Sequence, residues 1–97
     1  MRDWIPPDVE RADWQRYDVE PGESPRDAVV LAVSAMTNVP PSEMPPLYDV
    51  LNPGPLDRIL THAASKGTDM YVRFEFDDCR VVVTPCSVHV RLDDTER

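Results

Sequence analysis

The two histidines and two cysteines of this chain, His62, Cys79, Cys86 and His89, are the side chains that most readily suggest zinc or nucleophilic chemistry. Zinc needs such donors to converge on one point, and the local patterns scatter them. Cys79 alternates with the apolar face of a strand, His89 with the polar face of another, Cys86 falls in a turn, and His62 lies on the polar side of a helix. The two thiols therefore do not face each other as a disulfide requires, and no metal is expected. No Ser-His-Asp, Cys-His or paired-carboxylate constellation and no phosphate or dinucleotide loop is present, and only Gly22, Gly54 and Gly67 are available to shape one. The expectation is a non-catalytic protein with no cofactor.

Two other sets carry binding chemistry. Tyr71, Arg73, Arg80, His89 and Arg91 alternate onto one face of a strand series, so three of nine arginines share a surface in an acidic chain. Guanidinium groups recognise carboxylates and phosphates through forked hydrogen bonds. The bland alternative for this face is a solvated surface with one cross-strand ion pair. The second set is Leu47, Tyr48 and Asp49, inside a proline-stiffened loop that either closes the end of the core or presents a recognition edge.

The elements that position these residues follow from periodicity. Residues 1–13 show no period and read as a mobile arm, with Trp4 and Ile5 able to dock on the body or on a partner. Residues 14–19 alternate weakly, Tyr17 and Val19 opposite Arg16 and Asp18, and form a first strand. Ser24-Pro25-Arg26-Asp27 starts a helix, with Ser24 as N-cap and Pro25 at the first helical position. Its apolar face, Ala28, Val29, Leu31, Ala32, Val33, Ala35 and Met36, is wide, and Asn38-Val39-Pro40-Pro41 ends it. Asn52-Pro53 caps a second helix with Leu56, Ile59, Leu60 and Ala63 in one stripe, ending at Lys66-Gly67.

From Met70 the period becomes 2. Val72, Phe74 and Phe76, then Cys79, Val81 and Val83, then Val88, Val90 and Leu92 share one face of a three-strand meander. A two-residue turn at Asp77-Asp78 sets Phe76 opposite Cys79, and a looser turn over 84–87 sets Val83 opposite Val88. The fold class is α+β: a two-layer sandwich in β-α-α-β-β-β order, a four-stranded antiparallel sheet with two helices on one face. The pattern leaves open whether the first strand pairs with the second or the fourth. Residues 93–97 are a charged C-terminal tail.

The run Pro45-Pro46-Leu47-Tyr48-Asp49-Val50-Leu51-Asn52-Pro53, followed by the Leu56-Asp57 helix, resembles the signature segment of the halobacterial output domain. The capped Ala-Val helix before it and the Phe74-Glu75-Phe76 to Val81-Val82-Val83 hairpin after it fall in that family's order, so the resemblance spans 14–92. Asp78 stands where the family usually carries glycine, and the last turn, Pro85-Cys86-Ser87, also departs from it. The resemblance implies a haloarchaeal signalling output module, alone or fused to receiver and sensor domains, and offers no catalytic residues to carry over.

Composition bounds the rest. Ninety-seven residues make one small domain that buries about 60–65% of its unfolded surface. Eighteen acids against ten cations give a net charge of −8, and nine of the ten cations are arginine, Lys66 being the exception. Such a surface repels phosphate backbones and anionic lipid and fits life in concentrated salt, where charge repulsion is screened. No membrane span or secretory leader is expected, and the location is expected to be cytoplasmic. The expected partner is a protein of a signalling system, or a second copy of the chain. Nucleic acid bound through the arginine face is the alternative reading.

Overall fold

A computed structural model describes residues 9, 13–20 and 22–92. The elements are β1 (Gln15–Asp18), α1 (Pro25–Thr37), α2 (Pro53–Lys66), β2 (Val72–Phe76), β3 (Cys79–Val83) and β4 (Ser87–Leu92), with single 3-10 turns at Pro41–Glu43 and Leu47–Asp49 between the helices. All strand pairs are antiparallel, in the order β1-β4-β3-β2, so β1 lies beside β4. The expected tail over 93–97 lies outside the described residues, and of the arm over 1–13 only Val9 and Asp13 are described.

Both helices start where their unpaired N–H groups are satisfied. In α1 the Asp27 N–H donates to Ser24 Oγ, Pro25 has none to satisfy, and the Arg26 N–H donates to the Asp57 carboxylate of α2 at 3.0 Å. One acid of the second helix thus caps the first, and Arg26 Nε also stands 3.4 Å from it. In α2 Pro53 and Pro55 lack an N–H and the Gly54 N–H donates to Asn52 Oδ1, so the same end-group problem is largely solved by composition. Gly67, at φ 67°, closes α2 with Thr68 N–H donating to the Ala63 carbonyl.

The core joins Ala28, Val29, Ala32 and Val33 of α1 and Leu56 and Leu60 of α2 to Phe76, Cys79, Val81, Val83, Val88 and Val90 of the sheet. Each helix buries a narrower stripe than its sequence suggests. Leu31 is 55% and Ile59 50% exposed, and Ala35 is exposed as well. A helix lying on one sheet covers an arc little wider than 100°, so the flanks of a wider apolar face stay in water.

The β2–β3 register sets Phe76 opposite Cys79, Phe74 opposite Val81 and Val72 opposite Val83. The turn residues Asp77 and Asp78 have φ 52° and 65°, the double left-handed geometry of a type I′ hairpin, whose twist matches the strands. Asp tolerates that region poorly compared with glycine. Asp78→Gly is expected to raise stability by roughly 0.5 kcal/mol, relief of about 1 kcal/mol of left-handed strain being partly offset by glycine's greater unfolded-state entropy. The check is a higher midpoint of denaturation at unchanged cooperativity.

Candidate functional site

Alternation places Arg73 and Glu75 of β2, Arg80 and Val82 of β3, and His89 and Arg91 of β4 on the sheet face away from the helices. Cross-strand, Arg73 lies opposite Val82 and Val82 opposite His89, while Glu75 lies opposite Arg80 and Arg80 opposite Arg91. The registers expected from the sequence are the ones observed. The expected openness of the face is not.

The centre of that face is covered. Val9 and Trp14 pack on Val82, with Tyr71 at the margin, and Val9, Trp14 and Val82 are all buried. His89 is 3% exposed and cannot serve as a surface contact, which corrects its place in the expected docking set. An apolar valine in the middle of a polar face gains by finding a lid, and burying a tryptophan there removes much apolar surface from water. Arg91 is drawn into the same lid. Its guanidinium lies 6.0 Å from the centre of the Trp14 ring and its Nε 3.4 Å from the Asp13 carboxylate.

A buried polar knot lies at the β3–β4 turn. Thr84 Oγ1 accepts the N–H groups of Cys86 at 3.2 Å and Ser87 at 3.0 Å and lies 2.9 Å from Ser87 Oγ, which lies 2.9 Å from His89 Nε2. Thr84, Ser87 and His89 are all buried. A serine hydroxyl on an imidazole nitrogen is the pairing a nucleophile uses, but here both groups are buried and tie the β3–β4 turn to the strand that follows it.

What stays accessible is the β2 side of the face. Arg73 and Glu75 are exposed and Arg80 half-buried. With Phe74 they line a recess of about 250 Å³. Of the five arginine-face candidates, Arg73 and Arg80 line this recess, Tyr71 packs against the Val9, Trp14 and Val82 cluster, Arg91 is engaged by the lid, and His89 is buried.

The proline loop divides in the same way. Leu47 is buried and belongs to the core, which removes it from the proposed recognition edge, whereas Tyr48, 67% exposed, and Asp49 face solvent. Tyr48 does not close the core as a structural reading of the loop expects; Leu47 and Leu51 do that.

Both cysteines are free, Cys79 buried and Cys86 exposed. Burial, and then the charges of Asp77 and Asp78, push the Cys79 thiol up from 9.0 to about 11. Thiolate is the reactive form, so one thiol per native chain is expected to react with iodoacetamide at pH 8, and two after unfolding, counted by mass. The raised value favours the protonated native thiol, so its contribution to stability is complete below pH 9 and declines as pH rises toward 11.

Among the described residues no group of three or more His, Cys, Asp or Glu side chains could hold a metal ion, and no helix is long and apolar enough to cross a membrane. Residues 21–91 match the family model described as halobacterial output domain 1, a stretch that begins after β1 and ends within β4. No curated protein and no solved structure matches the chain.

Proposed function

The chain belongs to the halobacterial output domain 1 family, and on that premise we propose that it is a non-catalytic signalling output module that works in the haloarchaeal cytoplasm through protein contacts. The observation that carries this reading is the pair of guanidinium groups, Arg73 and Arg80, that with Phe74 and Glu75 line a recess on the outer sheet face of a chain whose net charge is −8. An acidic protein surface fits it. Guanidinium is weakly hydrated and forks onto carboxylates, so it keeps short-range contacts in salt concentrations that screen longer-range attraction.

The test uses immobilised full chain in multimolar KCl with haloarchaeal extract, comparing the unaltered sequence with Arg80→Glu. Arg80 lines that recess and lies away from the free edge of the sheet. A discrete acidic protein retained by the former and lost with the latter is the expected result. Equal retention by both would overturn the assignment to this face, and retardation of DNA that Arg80→Glu abolishes would move the function to nucleic acid.

A further inference from the structure

Accepting that the module works through protein contacts, we infer that β2 is its self-association edge: two copies pair β2 to β2, antiparallel and centred on Phe74, joining two four-stranded sheets into one. Among the described residues the sheet ends in β1 on one side and β2 on the other. β1 is four residues long, and its Gln15, Arg16 and Asp18 are exposed, a short polar edge of the kind that resists pairing. β2 has five residues, no proline, and the apolar series Val72, Phe74 and Phe76 on its inner face. Val72 and Phe74 remain half-exposed, because α1 packs on β4, β3 and β1 and leaves the β2 margin less covered.

The hairpin determines which backbone groups point along that margin. Phe76 and Cys79 flank a two-residue turn and form a hydrogen-bonded pair, so Phe76, Phe74 and Val72 direct their N–H and C=O toward β3, while those of Arg73 and Glu75 lie on the edge side. A second β2 must therefore meet the first through residues 73 and 75.

Charge then selects the register. Centring the two-fold on Phe74 sets Arg73 opposite Glu75 of the second copy and Glu75 opposite its Arg73, two opposite-charge pairs on the outer face, with Phe74 against Phe74 on the inner face as the close non-hydrogen-bonded pair. Centring on Arg73 puts Arg against Arg, and centring on Glu75 puts Glu against Glu. A slip of one residue would oppose edge-facing backbone groups to inward-facing ones. The strand Val72-Arg73-Phe74-Glu75-Phe76 is thus complementary to itself in a single register, as a two-fold interface requires.

The strip is short beside a standard interface of about 1,600 Å², so the dimer forms and dissociates with concentration. The measurement is sedimentation equilibrium of the full chain in KCl up to about 1 mM protein, a concentration that registers even weak pairing. A monomer–dimer equilibrium is expected. Arg73→Glu and Glu75→Arg each turn both pairs into like-charge pairs and are expected to weaken dimerisation at least about tenfold. The double exchange, Arg73→Glu with Glu75→Arg, is expected to restore it, and an equimolar mixture of the two single variants is expected to form the mixed dimer.

A second readout is independent of charge. In a Cys86→Ser background, Phe74→Cys places two thiols across the axis at disulfide distance and is expected to cross-link on mild oxidation, whereas Arg73→Cys is not. A chain that stays monomeric and does not cross-link, or a dimer indifferent to both single reversals, overturns the inference. Partner retention that still depends on Arg80 would then leave the proposed function standing.

Discussion

Thr84→Val is expected to lower the free energy of unfolding by about 3 kcal/mol, although it changes shape hardly at all. Thr84 Oγ1 accepts the Cys86 and Ser87 N–H groups and bonds to Ser87 Oγ, and both Thr84 and Ser87 are fully buried. Replacing the hydroxyl by a methyl leaves those donors facing a hydrocarbon. The Ser87 N–H is buried and the Cys86 N–H half-buried; a buried donor deprived of its acceptor costs about 1–3 kcal/mol, the half-buried one less, and turn relaxation recovers part of the sum. The Thr84 N–H still donates to the Ser87 carbonyl at 2.8 Å, so the turn retains its closing bond and the variant should fold. Thr84→Ser keeps the hydroxyl and is expected to lose less than half as much. Urea unfolding followed by circular dichroism at fixed KCl decides it, and a loss below about 1 kcal/mol for the valine variant would show that other groups already satisfy the turn.

The contrast between Thr84 and its neighbours explains what was legible in the sequence. Strand registers were, because a period of 2 allows only pairings that keep Val72, Phe74, Val81, Val83, Val88 and Val90 on one face, and a single slip would turn all of them to water. Helix starts were, because Ser24-Pro25 and Asn52-Pro53 solve a local problem with local residues. The capping of α1 by Asp57 was not, since it acts on an N–H 31 residues away. Nor does alternation distinguish a polar face in water from a polar face under a lid. Thr84 and His89 share their parity with Arg80 and Arg91, yet are buried where those are partly exposed. Val82 was the available signal: an apolar side chain centred on a polar face calls for a cover, and Trp14 shares a parity with Arg16 and Asp18, the strand side that carries it toward that face.

That cover is the site of the second large effect. Trp14→Ala is expected to cost about 3–4 kcal/mol, the range for deleting a large buried aromatic. Trp14 is only 8% exposed, lies on buried Val82 beside buried Val9, and supports the Arg91 guanidinium. Its Nε1, however, is buried without a hydrogen-bond partner among the described residues, which is an opposing term. Trp14→Phe discards that stranded donor, worth about 1–3 kcal/mol when unsatisfied, while keeping most of the ring. It is therefore expected to fall within about 1 kcal/mol of the unaltered chain, a far smaller loss than alanine causes. The pair separates two roles for the lid. If the tryptophan serves as apolar cover, phenylalanine rescues stability and the amide protons of Val82 and His89 stay protected from exchange, whereas alanine exposes both. If phenylalanine instead loses as much as alanine, the indole is held by a bond to its nitrogen, and the covered centre of the sheet is a polar junction rather than a second hydrophobic cluster.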